Sequence, residues 1–140
     1  LYQASQAGVK IKMIVRGICC LVPGIKGLSE NITVISVVDK FLEHPRVLIF
    51  ENAGEKKIYL SSADFMTRNI KNRVEVACPV YDDELQRQIL DTFELSWKDN
   101  IKARVVNQNP QNKMVIPQSG QVTQRSQWTT YAYFKNKLKQ

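Results

Sequence analysis

The segment Val9–Val15 constrains the fold of this chain more than any other. Its apolar residues first alternate with two lysines and then run together without interruption. This pattern is typical of a strand that enters a buried sheet. Gly8 comes just before the segment and is expected to end a short opening helix over residues 1–7. A buried strand needs neighbouring strands, so the rest of the chain must supply them.

Further strands follow along the sequence. Segments that are rich in β-branched residues or bounded by turn signals predict strands at 31–38, 46–51, 57–61, 74–80 and 101–106. Pro79 is expected to cut off the fourth of these. Residues 52–55 predict a hairpin-type turn between the second and third.

One long helix is predicted after the strand at 74–80. The acidic run 82–84 is expected to open it, because the helix dipole favours negative charge in the first turn. Helical spacing predicts one buried face, made of Leu85, Ile89, Phe93 and Trp97.

The order of these elements predicts an α/β fold, a mixed sheet flanked by helices, in a single domain over residues 1–140. Residues 107–126, which are rich in Gln, Asn, Ser and Pro, predict a loop. A C-terminal helix is predicted over residues 127–139, with Ser126 as its cap. Leu1 falls inside the predicted opening helix. We therefore expect a piece of a longer protein.

The net charge of +7 is confined to the end of the chain. All 13 Asp and Glu residues, but only 13 of the 20 Lys and Arg residues, lie before residue 100. The basic tail, residues 100–140, suits a polyanion, and an ordinary solvated basic segment is the alternative. Cys19, Cys20 and Cys78 lack the spacing of a metal site or a disulfide framework and predict reduced thiols.

The chain has a single histidine, His44. A lone histidine is more often structural than functional, but Arg46 follows two residues later at the start of a predicted strand. Residues i and i+2 of a strand point to the same face, so the imidazole and the guanidinium can face a single anion. The planar fork of donors on arginine suits phosphate oxygens. The pair therefore predicts a phosphate site.

Two other groups are candidates for anion binding. Arg16 ends the first buried strand, at the position where α/β folds bind ligands, and a surface salt bridge is its alternative role. A second group of hydroxyl, acidic, basic and amide side chains follows the strand at 57–61 and can close round a phosphate: Ser61, Ser62, Asp64, Arg68 and Asn69. The alternative for this group is a helix-capping turn.

The spacing of these residues resembles the signature of the phospholipase D superfamily. The family pattern is His-x-Lys-x4-Asp followed by Gly-Ser-x-Asn. Here it is His44, Arg46 and Glu51 followed by Ser61-Ser62-Ala63-Asp64. In that family the histidine attacks phosphorus or protonates the leaving group, while the lysine and the Ser/Asn pair hold phosphate oxygens. The departures at the lysine, aspartate and asparagine positions weigh against hydrolysis of phosphodiesters.

Longer blocks of the sequence resemble polyphosphate kinase. The resemblance covers roughly residues 1–106 and rests on the blocks 8–11, 15–21, 27–32, 41–46, 61–64, 67–69, 73–76 and 100–104. It implies an enzyme that moves the terminal phosphate of ATP onto a polyphosphate chain and back. It also implies that the chain is most of the last of two phospholipase D-like C-terminal domains, with its first portion missing and its sheet truncated on the N-terminal side.

The resemblance further implies roles for single residues. Arg16 and His44 would bind ATP, and His44 would stabilise charge or give a proton to the departing ADP oxygen. Arg46 and the turn Ser61–Asp64 would hold neighbouring phosphates. The histidine that becomes phosphorylated and the arginines that bind Mg²⁺ would lie outside this fragment, so the chain alone is expected to be inactive.

The implied partners are ATP, ADP, inorganic polyphosphate and the preceding domains of the same chain. A homo-oligomer, dimer or tetramer, is expected, with no specific nucleic acid. The implied location is the bacterial cytoplasm, with peripheral membrane association as a further expectation. Two alternatives stay open. One is a phosphodiesterase or nuclease of the phospholipase D type. The other is a non-enzymatic polyanion-binding module that uses the basic tail.

Overall fold

The structure is a computed structural model that describes residues 1–109 and 111–139. Within these residues, four α-helices and six strands follow one another in the order α1 (Tyr2–Gln6), β1 (Ile11–Ile14), β2 (Ile32–Val37), β3 (Val47–Phe50), β4 (Lys57–Ser61), α2 (Thr67–Asn72), β5 (Ala77–Val80), α3 (Asp83–Trp97), β6 (Ala103–Val106) and α4 (Ser126–Lys137). The predicted loop 107–126 includes Pro110, and the predicted domain 1–140 includes Gln140. Both residues lie outside the described part.

The strands form two sheets of three strands each. The first has the order β1-β2-β6, with β1 and β2 parallel and β6 antiparallel to β2. The second has the order β3-β4-β5 and is antiparallel throughout. The α/β class is thus confirmed, but the strands expected in one mixed sheet divide between two.

The chain also divides into two compact units. The mixed-sheet unit comprises Leu1–Leu42 and the chain from Thr92 onward, and the antiparallel unit is Glu43–Asp91. A single domain over residues 1–140 stays a prediction. None of the helices in the described part of the chain is long and apolar enough to cross a membrane.

The core of the mixed-sheet unit is built on β2. As the central strand it buries four of its six residues, Ile32, Val34, Ile35 and Val37. Ala103 of β6 is completely buried against it, and Ile14, Trp97 and Val115 pack on the same cluster. Burial on both faces explains why β2 has an almost continuous run of β-branched residues rather than a strict alternation.

The carboxylate of Asp99 connects three elements of this unit. It is 1% exposed, and its Oδ1 accepts hydrogen bonds from the backbone N–H groups of Ile101, Lys102 and Ala103 at 2.9, 2.6 and 3.1 Å. Its Oδ2 accepts from the backbone N–H of Ser126 at 2.7 Å. The end of α3 is thereby tied to the starts of β6 and α4.

The beginning of α4 differs from the prediction. The helix starts at Ser126 and ends at Lys137, its N-cap is Arg125, and no side chain of the cap accepts a hydrogen bond. The expected capping by Ser126 is therefore wrong. Asp99 takes that role instead, from 27 residues earlier in the chain, and local sequence signals do not reveal a cap at that distance.

A second buried carboxylate holds the same end of α4. Asp39 follows β2, its side chain is 2% exposed, and it accepts two hydrogen bonds of 2.7 Å from the guanidinium of Arg125. Two residues later, Phe41 exchanges two hydrogen bonds with the side chain of Gln127, at 3.0 and 2.8 Å. The segment after β2 is thus fixed to the first turn of α4.

The antiparallel unit is a hairpin extended by one strand. The turn between β3 and β4 is a short 3₁₀ segment, Asn52–Gly54, and all three of its residues have positive φ. β5 begins at Ala77 rather than at residue 74, and it continues through Pro79 to Val80. The prediction that Pro79 cuts the strand off is therefore wrong.

The pairing of β4 with β5 explains why Pro79 is tolerated. Ser62 donates its backbone N–H to the carbonyl of Val76 at 2.9 Å. Hydrogen-bonded pairs alternate along an antiparallel ladder, so Tyr59 and Pro79 form a pair without hydrogen bonds. The position that lacks an N–H faces away from β4, on an edge strand where proline is accepted.

The long helix α3 begins as predicted. Asp82 accepts a hydrogen bond of 2.9 Å from the backbone N–H of Leu85, so it serves as the N-terminal cap. The predicted buried face is only partly present, because no residue of α3 is fully buried and Leu85 is 52% exposed. Phe93 and Trp97 stack with ring centroids 6.1 Å apart.

Candidate active site

The hairpin of β3 and β4 brings the pair of His44 and Arg46 and the turn Ser61–Asp64 to one end of the antiparallel sheet. Val47 pairs with Leu60, and the backbone N–H of Ser61 donates to the carbonyl of Arg46 at 2.8 Å. In an antiparallel pair, the residues just before one strand lie beside those just after the other. The segment 44–46 and the turn 61–64 therefore lie together.

Three side chains at this end form a continuous chain of contacts. Arg46 donates from Nε to Oδ1 of Asp64 at 2.8 Å, and its Nη2 lies 2.8 Å from Nε2 of His44. The ion pair is partly buried, with Arg46 22% and Asp64 34% exposed at the side chain. Because a guanidinium only donates, Nε2 of His44 must be the acceptor in this contact.

The ion pair between Arg46 and Asp64 favours the charged form of both side chains. The hydrogen bond from Arg46 is the largest cause that holds the pKa of Asp64 below its ordinary value, with smaller contributions from the charges of Arg46 and Arg68. The same hydrogen bond raises the pKa of Arg46. Asp64 is therefore ionised at neutral pH, and its charge is matched to a guanidinium that stays protonated.

A second network adjoins the first and is centred on Glu75. Its carboxylate accepts hydrogen bonds from the hydroxyl of Ser62 and from Nδ2 of Asn69, the latter at 2.7 Å. These two bonds, that of Ser62 first, lower the pKa of Glu75, and the charges of Arg73 and Arg46 lower it further. Asn69 is 2% exposed, and its Oδ1 has no hydrogen-bond partner in the structure.

Glu75 was not among the residues that the sequence singled out. It precedes β5, whose antiparallel register pairs Ala77 with Ser61. An acidic residue two positions before Ala77 must therefore lie near the end of β4, where the predicted hydroxyl group is. The pairing of these two strands is the signal that could have revealed it.

The other predicted residues occupy different surroundings. The Oγ of Ser61 accepts from the backbone N–H of Ala63 at 3.1 Å, which stabilises the turn that carries Asp64. Arg68 is exposed on α2 and close enough to Asp64 to lower its pKa. Arg16 is exposed and follows β1, so it belongs to the mixed-sheet unit and not to the antiparallel unit.

Glu51 does not join the site. Glu51 directly follows β3. Its carboxylate pairs with Lys56 across the hairpin turn at 3.3 Å, and 74% of its side chain is exposed. The phospholipase D-like spacing therefore places this acid at the far end of the hairpin from His44, where it supports the turn.

Several basic side chains of the tail have partners in the structure. The guanidinium of Arg125 is bound to Asp39, and Nη1 of Arg104 donates to the carbonyl of Asn112 at 2.8 Å. Lys135 and Lys137 lie over the rings of Tyr131 and Tyr133, with distances to the centroids of 5.7 and 5.4 Å.

Cys19, Cys20 and Cys78 are free thiols. Within residues 1–109 and 111–139, no group of three or more His, Cys, Asp or Glu side chains could hold a metal ion.

Comparison with known proteins decides the family. The sequence profile described as "Polyphosphate kinase C-terminal domain 2" matches residues 1–127. The chain belongs to the polyphosphate kinase family. Because the profile covers most of the chain, both the antiparallel unit and the first strands of the mixed-sheet unit lie inside the matched region.

Curated relatives agree with this assignment. A polyphosphate kinase of Vibrio parahaemolyticus is 53% identical over 140 residues, which are 100% of this chain and 20% of that protein. A polyphosphate kinase of Escherichia coli strain K12 is 47% identical over 136 residues, 97% of this chain and 20% of that protein. The chain thus spans about a fifth of the length of the relatives it matches.

A solved structure has the same fold. The crystal structure of the polyphosphate kinase from Porphyromonas gingivalis superposes with a TM-score of 0.93 at 47% sequence identity. The match covers 98% of this chain and 21% of that one. The fold described above is therefore that of a C-terminal domain of a polyphosphate kinase.

Proposed function

We propose that this chain forms part of the phosphoryl-transfer site of a longer polyphosphate kinase, which moves the terminal phosphate of ATP reversibly onto polyphosphate. The observation that carries the proposal is the His44–Arg46–Asp64 chain of contacts, in a domain of this family. It presents an imidazole and a partly exposed guanidinium side by side, and such a pair of donors suits phosphate oxygens.

The residues of the antiparallel unit act mainly by position and charge. Arg46 offers donors to phosphate oxygens while Asp64 fixes its direction. Arg68 adds a second positive charge near the same carboxylate. His44 meets ATP and stabilises charge or transfers a proton as ADP departs. Phosphoryl transfer needs little covalent chemistry from such groups, because positioned charge supplies most of the catalysis.

Ser61, Ser62 and Asn69 remain proposed phosphate ligands, with a condition that the structure supplies. The hydroxyl hydrogen of Ser62 and one amide hydrogen of Asn69 are donated to Glu75. A phosphate that takes these donors has to displace the carboxylate of Glu75. Ser61 instead supports the turn through Ala63. Direct contact with phosphate is therefore easiest for Arg46 and Arg68.

Other parts of the enzyme complete the proposal. Arg16 binds phosphate oxygens of ATP, while the phosphorylated histidine and the ligands of Mg²⁺ come from outside this chain. When bound, Mg²⁺ neutralises charge on the phosphates of ATP. We also propose a homo-oligomeric, cytoplasmic enzyme with peripheral membrane association, to which the exposed lysines of the basic tail would contribute.

The test uses the full-length enzyme that contains this chain, labelled ATP, and Mg²⁺. Removal of one hydrogen-bond donor that is positioned to stabilise the transition state typically lowers the rate by ~100- to 1,000-fold. We expect that loss for His44→Ala and for Arg16→Ala, measured as polymer synthesis. Arg87→Ala removes an exposed arginine that pairs with Glu84 within α3, and this variant should retain full activity. Near-normal synthesis by His44→Ala or Arg16→Ala would contradict the role given to that residue.

The same assay separates the alternatives. Phosphodiester hydrolysis without ATP would instead support an enzyme of the phospholipase D type. Polyanion binding that survives the loss of His44, falls steeply with salt and is accompanied by no turnover would support a binding module.

A further inference from the structure

We propose that Asp64 is a positioning residue which acts through Arg46 to hold the neutral imidazole of His44 in the tautomer protonated at Nδ1. The functional consequence rests on the proposed function, but the tautomer itself does not. It follows from three side chains of the antiparallel unit and from the donors and acceptors that each of them carries.

The donors and acceptors in these contacts allow one position for the proton of the neutral imidazole. Arg46 has five N–H donors and no acceptor, and it stays protonated. Its Nη2 lies 2.8 Å from Nε2 of His44, so Nε2 must offer a lone pair. A neutral imidazole has one donor nitrogen and one acceptor nitrogen, and the proton therefore resides on Nδ1.

Asp64 is the part of this arrangement that fixes the arginine. A free arginine side chain samples many rotamers, whereas Nε of Arg46 is held at 2.8 Å by Oδ1 of Asp64. Asp64 is itself placed by a turn with its own hydrogen bonds. Its carbonyl accepts from the backbone N–H of Met66 at 2.7 Å, and Ser61 accepts from Ala63 at 3.1 Å.

The arrangement gives Asp64 a role other than contact with phosphate. A carboxylate repels a phosphate oxygen, but here its charge is matched by the guanidinium. With Nε2 engaged by Arg46, the neutral His44 meets an anion as an Nδ1–H hydrogen-bond donor, which favours charge stabilisation over proton transfer among its two proposed roles. An imidazolium has no lone pair to offer, so protonation at Nε2 would break the contact with Arg46.

The first test measures the tautomer directly in the 140-residue chain. His44 is its single histidine, so the imidazole ¹⁵N signals have one source. At a pH where the imidazole is neutral, we expect the Nδ1–H form to predominate. A predominance of the Nε2–H form in the unaltered chain would overturn the proposal without any variant being made.

Variants then test the role of Asp64. Asp64→Asn should release Arg46 and give a mixture of the two tautomers, while Asp64→Glu should restore much of the Nδ1–H form. Asp82→Asn alters an exposed carboxylate that caps α3 and should leave the spectrum of His44 unchanged. An Asp64→Asn chain that keeps the amide dispersion of the parent and the same tautomer ratio would overturn the proposal.

A kinetic test in the full-length enzyme separates this proposal from the proposed function. Groups that orient metal-bound histidines typically contribute ~10- to 100-fold, and by analogy Asp64→Asn should lower kcat/KM of polymer synthesis by about that factor, with partial rescue by Asp64→Glu. A shifted tautomer with unchanged turnover would support the positioning and contradict the role of His44 in turnover. An inactive His44→Ala enzyme whose parent chain shows the Nε2–H tautomer would support the proposed function and overturn the positioning.

Discussion

Asp99 in the mixed-sheet unit and Asp64 in the antiparallel unit are both carboxylates with a lowered pKa, but different partners stabilise them. Burial alone would raise the pKa of Asp99, and the backbone N–H groups of Ser126, Lys102 and Ile101 more than offset it. The pKa of Asp64 is lowered chiefly by the side chain of Arg46. Backbone partners cannot move without unfolding, whereas a side-chain partner can exchange for a ligand. The first carboxylate therefore supports the fold, and the second supports the site.

Replacing Asp99 should have the largest effect on stability. Asp99→Ala leaves four backbone N–H groups without their acceptor, at roughly 1–3 kcal/mol for each group that stays buried. Because water reaches some of them, we expect a total loss of about 3–5 kcal/mol in the free energy of unfolding. Urea denaturation followed by circular dichroism measures it.

Two controls sharpen this prediction. Asp82→Ala removes an exposed cap with one backbone partner and should cost ~1 kcal/mol. Asp64→Asn should leave the denaturation midpoint almost unchanged, since its carboxylate accepts from a side chain at the surface. If Asp64→Asn were as destabilising as Asp99→Ala, the distinction between the two carboxylates would fail.

Asp39→Asn is expected to have the next largest effect. It weakens two charge-assisted hydrogen bonds from Arg125 to a carboxylate whose side chain is 2% exposed, which should cost about 2–3 kcal/mol. The control is Glu94→Gln, which breaks the exposed ion pair with Lys12 and should cost less than ~1 kcal/mol. Equal midpoints for the two variants would show that burial of Asp39 contributes nothing.

Acid should reduce stability mainly through the mixed-sheet unit. A carboxyl whose pKa is lower in the folded than in the unfolded state stabilises the fold above its unfolded pKa, and that stability is lost as the pH falls through the folded pKa. The pKa of Asp99 and that of Asp39 are both lowered, so the free energy of unfolding should decrease below about pH 4.

Variants identify the source of this pH dependence. Denaturation at a series of pH values should give a clearly flatter curve for Asp99→Asn. The curve for Asp64→Asn should flatten only slightly, because its ion pair with Arg46 is partly exposed and screened by water. A parallel curve for Asp99→Asn would mean that its hydrogen bonds do not couple protonation to folding.

The smallest effect is expected for Ser62→Ala. Ser62 is exposed, so stability should change by less than about 0.5 kcal/mol. Its hydroxyl donates the hydrogen bond that contributes most to the lowered pKa of Glu75. The pKa of Glu75 should therefore rise towards its ordinary value in the variant. Carboxyl ¹³C chemical shifts followed against pH measure this, with Thr67→Ala as a nearby exposed control. An unchanged titration of Glu75 would contradict the hydrogen bond.

The sequence predicts the local elements well because they depend on neighbouring residues. The strand Lys57–Ser61 has the predicted bounds, and the opening acids of α3 and the opening helix lie where the sequence indicates. The division into two sheets could not be predicted, because strand partners are chosen by tertiary packing and not by periodicity.

The site shows the same limit. The proximity of His44 to Arg46 follows from a spacing of two residues, and that of Arg46 to Asp64 from a hairpin that the turn predicts. Glu75 requires knowledge of which strand pairs with β4. The contact between Asp39 and Arg125 joins residues 86 positions apart, and nothing in either local sequence indicates the other.

Pro79 has a consequence for association of the chain. β5 is an edge of the antiparallel sheet, and edges recruit further strands through their unpaired N–H groups. In this four-residue strand the outward positions are Ala77 and Pro79, and only the alanine has an N–H to offer. An approaching strand would therefore find half of the expected donors. The proline that β5 tolerates should thus protect this edge against aggregation.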